Sequence, residues 1–412
     1  MAGTELSEAG RRRGLLVLLV STFFAWAGFF LVIPLLAVHF VDGLGWAAAS
    51  IGLVLAVRQF VQQGLTTIGG VLADRWGPKG LIAVGMGIRA IGFTGMAFAD
   101  RYAWLMTASI VAALGGALFE SPRAAAIAAL TRPAERPRYY ALAGTAGGLG
   151  ITVGTQVGAL LLRVDFALVS LAAAVCFALI GVLVLVALPP VQVASGTGRA
   201  FDGIGRAVRD RPFMTYNALM IGHWFVWSQY YIILPLAATA IVGRPEGVAW
   251  VYGLNAAITL VLGYPLPRLV GRRLVPIRAV VVGSVLAALG LGAVGFVSGT
   301  VGLLVAVAVF SVGVVLVRPN EQTVAAGLAN PAALGSYFGV ASLSLAIGGG
   351  AGNLAGGVLY DLGRRLQAPR LPWLMIGAIG LVSAAGLWWT MVRRGSDANL
   401  APTTVTSPEG DG

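Results

Sequence analysis

The sequence predicts an all-α membrane protein of twelve transmembrane helices, arranged as two pseudo-symmetric six-helix halves. Three observations carry that prediction: a composition suited to lipid, twelve apolar segments of spanning length, and an internal repeat that lays the first six over the second six. Of the 412 residues, 58% are hydrophobic and 11% charged, with a mean hydropathy of +0.87. A soluble domain does not tolerate that balance.

Composition also excludes several functions. Cys176 is the single cysteine, so no intrachain disulfide can form, and two histidines cannot supply a His/Cys metal cluster; no metal site is expected. No nucleophile–base constellation or phosphate loop is present, and an enzyme is not expected. The formal charge of +12 would suggest nucleic acid in a soluble protein. Here the basic residues fall in short loops between apolar runs, where they set topology instead.

The apolar segments lie near 14–38, 47–72, 80–100, 102–126, 138–161 and 166–188, then 214–241, 247–267, 276–298, 300–325, 335–360 and 371–392. The first follows Arg11, Arg12 and Arg13 but is too long for a signal peptide. With loops alternating sides, one side carries 18 Lys and Arg and the other 6, the remaining four being inside spans. By the positive-inside rule the richer side, which holds both termini, is cytoplasmic. The expected organisation is therefore a cytoplasmic segment 1–13, a bundle 14–190, a linker 191–213, a second bundle 214–394 and a disordered cytoplasmic tail 395–412. Within the linker, Phe201, Ile204, Val208 and Phe213 alternate with charges as in a short amphipathic helix on the membrane surface.

The repeat is clearest in spans one and seven. At a shift of 201 residues, the run from Thr22 to Leu35 lies over that from His223 to Leu236, with two aromatic pairs, Trp26 over Trp227 and Pro34 over Pro235. Spans five and eleven repeat at a shift of 198, with Gly154 and Gly158 over Gly352 and Gly356. Two halves related by an axis along the membrane normal place a substrate site near the midplane between them. Gly150, Gly154 and Gly158, like Gly348, Gly352 and Gly356, form one-face rows that allow close backbone approach.

Six ionisable side chains fall within spans: Arg58, Arg89, Glu120, Arg123, Arg318 and Glu321. Each costs roughly 2.5 to 3.5 kcal/mol at a helix centre, so each is expected to face the bundle or water. Glu120-Ser121-Pro122-Arg123 and Arg318-Pro319-Asn320-Glu321 are repeat-related with reversed charge order. Glu and Arg at i, i+3 pair on one helical face as a structural ion pair, or the acid serves as a proton carrier. Glu120, Glu321 and Asp42 are the acids expected to take part in proton coupling. Phe23, Trp26 and Phe30, with His223, Trp227, Tyr231 and Gln229, form an aromatic face suited to large apolar or cationic molecules, or alternatively to helix packing. Arg58, Gln59, Gln62, Arg89 and Arg318 are expected to complete the cavity.

After span two stands Gly70-Val71-Leu72-Ala73-Asp74-Arg75-Trp76-Gly77-Pro78-Lys79. Seven positions resemble the signature loop of the major facilitator superfamily, with Pro78 where a basic residue is usual. The resemblance implies a gate in which Asp74 meets the N-terminus of span eleven near Gly335; Gly70, Arg75, Gly77, Lys79 and Arg123 are grouped with it. Further runs, including His39-Phe40-Val41-Asp42, Arg58-Gln59-Phe60, Ser121-Pro122-Arg123 and Tyr360-Asp361-Leu362-Gly363, resemble the drug/proton antiporters of that superfamily over residues 20–392. That resemblance implies secondary active transport by alternating access, with proton-driven export of hydrophobic or cationic drugs (multidrug efflux) from a bacterial inner membrane, and antibiotic resistance. The partners are then protons, lipid and a small-molecule substrate. No cofactor beyond the proton gradient is implied, and a monomer suffices because both halves lie in one chain. An anionic metabolite, drawn by the in-span arginines, is the alternative substrate, and a non-transporting receptor the remote alternative.

Overall fold

A computed structural model describes residues 7–132, 135–190, 200–330 and 333–393. The segments 1–6, 133–134, 191–199, 331–332 and 394–412, and the surroundings of Gly70, Asp74, Arg75 and Gly335, lie outside what is described. The contact expected between Asp74 and span eleven falls among them.

The chain is helical throughout the described residues. In order the helices are α1 (Glu8–Ala37), α2 (Ala48–Trp76), α3 (Pro78–Ala97), α4 (Tyr102–Ala117), α5 (Glu120–Leu130), α6 (Arg136–Leu162), α7 (Phe166–Ala187) and α8 (Ala200–Arg209). There follow α9 (Arg211–Ser228), α10 (Ile233–Val242), α11 (Glu246–Leu262), α12 (Pro265–Gly271), α13 (Pro276–Val294), α14 (Thr300–Leu328), α15 (Leu334–Arg365) and α16 (Leu371–Leu387). Each apolar segment read from the sequence contains a helix. Ten helical segments among the described residues are long and apolar enough to cross a membrane, and α11 with α12, bent by 54°, makes an eleventh. The 29-residue α2 lies at the remaining position. Their outer faces are apolar and bare: Leu16, Ile91, Val186, Val301 and Val382 are each more than 60% exposed. In water such a belt would aggregate; in lipid it is solvated.

Proline explains two breaks. Pro122 and Pro235 each lack the N–H that would bond to the carbonyl four residues back, and the helix interrupts just upstream, between α4 and α5 and between α9 and α10. Across the second break, the N–H groups of Gln229, Tyr230 and Tyr231 bond three residues back instead of four.

That break corrects the repeat register. Close glycine contacts relate the two halves throughout by 198 residues. Gly150 and Gly154 meet the carbonyls of Phe23 and Ala27 on α1, while Gly348 and Gly352 meet those of Ile221 and Phe225 on α9. Likewise Gly85 packs on the Gly115 carbonyl and Gly283 on that of Gly313. The shift of 201 holds only beyond the Gln229–Ile232 break, where three extra residues bring Pro235 to the place of Pro34. Before it, Trp224 corresponds to Trp26 and Trp227 to Phe29, and Glu120 corresponds to Arg318 and Arg123 to Glu321.

Both glycine rows do hold helices close, α6 against α1 and α15 against α9; a side chain at Gly154 or Gly352 would collide with backbone. The linker helix α8 buries Ala207 in a cluster with Phe213 and Tyr337 and leaves Val208 half-exposed. At the start of α1, Arg11 donates to the Leu130 carbonyl at 3.1 Å and pairs with Glu135 at 3.1 Å. The Arg132 backbone N–H and the charges of Arg11 and Arg132 hold the Glu135 carboxyl below its ordinary value of 4.5.

Candidate functional site

The halves touch chiefly at one end of the bundle. There the Asp361 carboxylate, at the end of α15, accepts the backbone N–H groups of Ala48 and Ala49 at 3.0 and 2.9 Å. A helix N-terminus leaves such donors without intrahelical partners, so this side chain caps α2 from the opposite half. Nearby, Gln156 on α6 donates to the Ala249 carbonyl of α11 at 2.8 Å, and Arg163 pairs with Glu246. Gly52 and Gly357 let α2 and α15 approach to backbone contact.

Away from this seal lie two chambers that share Arg318 and Leu345, the first lined by both halves and the second by the second half alone. The first, about 210 Å3, is lined by Trp26 and Phe29 of α1, Arg58, Gln59, Gln62 and Gln63 of α2, Arg89 of α3, Phe119 and Glu120 at the α4–α5 break, and Trp227 and Tyr231. The second, about 250 Å3, lies toward the start of α9 and includes Tyr216, Asn217, Trp224 and Glu321.

Arg58 and Arg89 are 5% and 6% exposed, and both guanidinium groups lie over the Phe29 ring, 4.8 and 5.2 Å from its centroid. Arg58 donates to Gln62 Oε1 at 2.8 Å and Gln59 Oε1 at 3.2 Å. Across the chamber Arg318 lies over Trp227 at 5.5 Å and Trp224 at 5.9 Å. The pseudo-equivalent rings Phe29 and Trp227 thus each carry arginine, a cation–π arrangement that lowers the cost of charge away from water.

The repeat-related charge motifs differ in pairing. Glu120 and Arg123 form the i, i+3 ion pair at 2.7 Å, and Arg123 also reaches Thr22 Oγ1 at 3.4 Å and the Phe119 ring. Arg123, grouped with the loop gate from sequence, thus acts inside the first half. The corresponding Arg318–Glu321 pair does not form, because Arg318 turns to the tryptophans. Among the described residues no cationic side chain lies within 4.0 Å of the Glu321 carboxylate.

Several expected cavity residues lie elsewhere. His223 is buried beside α13, its Nδ1 3.2 Å from Ser284 Oγ. Gln229 has no exposure and donates to the Phe225 and Gly352 carbonyls at 2.9 and 2.8 Å, joining α9 to α15. Phe23 packs edge-on to Phe24, 5.1 Å between centroids, on the side of α1 that meets α6. Phe30 is buried among Trp26, Tyr231 and Tyr252 rather than in the chamber wall. Asp42 is exposed in the π-helical turn Val38–Gly43 that ends span one, remote from both chambers. These corrections share one cause, because a helix advances 100° per residue and packing alone decides its rotation. Trp26, Arg58, Gln59, Gln62, Arg89, Glu120, Trp227, Tyr231 and Arg318 do line the first chamber. Phe29 and Phe119 were missed; Phe29, one helical turn from Trp26, was legible as part of the same aromatic face. Gly77, with φ 79°, makes the expected tight turn into α3, whose first residues are Pro78 and Lys79.

A polar, aromatic cavity between two pseudo-equivalent helical halves, sealed at one end, defines a membrane transporter rather than an enzyme. The chain belongs to the Major Facilitator Superfamily, whose profile matches residues 18–353. Within it, the chain is 38% identical over 389 residues to the multidrug resistance protein MdtH of Yersinia enterocolitica, covering 94% of this chain and 97% of that one. The same identity and coverage relate it to MdtH of Yersinia pestis. Solved structures share the fold at low identity. The nucleoside transporter NupG has a TM-score of 0.78 at 14% identity, covering 91% of this chain and 99% of that one. A POT peptide transporter in complex with sulfate has 0.77 at 16%, covering 93% and 94%.

Proposed function

We propose that this protein is a secondary active exporter of aromatic, drug-like molecules, working by alternating access and driven by the proton gradient across a bacterial inner membrane. The observation that carries this is the aromatic chamber at the junction of the halves, with titratable side chains in its wall and in the adjoining chamber. The MdtH relatives, named as multidrug resistance proteins, support the substrate range. The 18-to-6 charge asymmetry favours both termini in the cytoplasm, which makes the Asp361 seal the outer one and this conformation inward-facing. One chain holds the whole pathway, so a monomer is the working unit.

Glu321 is the better proton carrier of the two chamber acids. Glu120 is engaged in the ion pair with Arg123 at 2.7 Å, whereas Glu321 has no cationic side chain within 4.0 Å among the described residues and lines the second chamber. The test is gradient-driven movement of ethidium and of a neutral aromatic dye into everted vesicles, comparing wild type with Glu321→Gln and Glu120→Gln. Movement lost in Glu321→Gln supports the assignment. Full transport by that variant refutes the coupling role, and no movement of either dye by the wild type refutes export of cationic and neutral aromatic molecules.

A further inference from the structure

We infer that Arg58 and Arg89 form a specific anion site in the first chamber, and that the preferred substrates are aromatic molecules bearing a carboxylate or comparable oxyanion. This rests on the reading of that chamber as the substrate site, and it narrows the chemistry the site accepts.

The two guanidinium groups are more than nine-tenths buried, and no carboxylate lies within 4.0 Å of either among the described residues. Each guanidinium carries five N–H donors. Arg58 places two on glutamine oxygens, and its Nε is buried without a partner. Arg89 donates to no protein acceptor among the described residues; its Nε is buried as well, and its contacts are the faces of Phe29, Phe93 and Phe177. Buried cations with unused donors are costly, and an oxyanion bound bidentately satisfies both charge and hydrogen bonds.

No acid of the chamber wall pairs directly with either of them. Glu120, the one acid lining it, already holds Arg123 at 2.7 Å, while Arg318 adds a third cation on the opposite wall. A hydrophobic cation would enter a chamber with three arginines and no free acid, whereas an anion is drawn in. Trp26, Phe119, Trp227 and Tyr231 then supply faces for its ring system. Gln59 and Gln62, by accepting from Arg58, hold its fork in place rather than competing with an anion, since an accepting amide oxygen carries no charge.

A matched charge series isolates the effect. Isothermal titration of the purified protein with 1-naphthoate, 1-naphthamide and 1-naphthylmethylammonium keeps the ring constant and varies only the charge. Naphthoate is expected to bind at least tenfold more tightly than the amide, with the ammonium weakest. In Arg58→Gln and Arg89→Gln the naphthoate preference should fall below threefold while amide binding persists, which also reports an intact chamber. If a variant loses the amide too, competition in the wild type decides: displacement of naphthoate by benzoate but not benzamide supports the site, and equal displacement overturns it. Equal affinities across the series, a preference for the ammonium, or displacement by inorganic phosphate as strong as by benzoate would each overturn the assignment. Titration needs no gradient, so the two readings separate. Vesicles that export neutral dye while the protein shows no naphthoate preference leave the transport proposal standing and sink this one. Tight naphthoate binding without any transport does the reverse.

Discussion

Replacing Asp361 with alanine should open the sealed end of the bundle. In the closed arrangement this carboxylate accepts two backbone N–H groups at the start of α2, at 3.0 and 2.9 Å, across the junction between halves. Loss of a helix cap costs about 1 kcal/mol, and loss of a negative charge beside a helix N-terminus costs about 0.3–1 kcal/mol more. The total of about 2 kcal/mol acts on the sealed state alone, since the donors are hydrated once the halves part. It corresponds to a shift of about 30-fold toward the state open at this end. Asp361→Asn keeps an acceptor oxygen and loses the charge, so its shift should be about fivefold, from about 1 kcal/mol. Spin labels at Val164 and Leu366, exposed positions on the two halves near the seal, report the separation by double electron–electron resonance. Cys176, the single native cysteine, is first replaced by serine. The wild type should give mainly a short distance and Asp361→Ala a mainly long one, with Asp361→Asn between. An unchanged distance distribution in Asp361→Ala would refute the view that this cap holds the seal.

Other consequences are as direct. Gly154→Val places branched bulk against the Ala27 carbonyl and should destabilise the α1–α6 contact by about 1–3 kcal/mol or more, whereas Gly148→Ala, with open space around it, should leave thermal stability unchanged or raised. Thermal melts in detergent check both. Glu135 is depressed by the Arg132 N–H and by Arg11, so its contribution is present above the ordinary carboxyl value of 4.5 and disappears as pH falls through the lowered one. The stability gap between wild type and Glu135→Gln, visible at pH 7, should therefore close in acid, and melting curves across that range measure it. Gln229→Leu removes the donor that joins α9 to α15 at the Gly352 carbonyl. It should lower stability by about 0.5–1.5 kcal/mol because a buried interhelical hydrogen bond is lost, while naphthoate affinity stays unaltered.

How much of the site was legible follows from the kind of signal each residue leaves. Arg58, Arg89, Glu120, Arg318 and Glu321 stand out because charge inside an apolar span is costly, and all five face one of the two chambers. The glycine rows were equally readable, since a repeat of four residues places them on one helical face. The aromatic face was half right. Trp26, Trp227 and Tyr231 line the chamber, but His223, Gln229, Phe23 and Phe30 turn into helix contacts. Identity of residue type and spacing does not specify rotation within a bundle whose every face is apolar.

Composition, span length and repetition alone therefore determined the class of molecule, its helical segments and its internal duplication, because lipid forces every backbone polar group into a helix and makes that pattern visible in one dimension. Tertiary structure decided what depends on rotation and on local breaks. It set the three-residue insertion at Gln229–Ile232 that resets the repeat, and the pairing of Glu120 with Arg123 while Glu321 stands apart. It also brought Asp361 to the N-terminus of α2, more than 300 positions away in sequence. Such partners meet only when helices from different halves pack, and no local pattern encodes which face of one helix will meet the end of another.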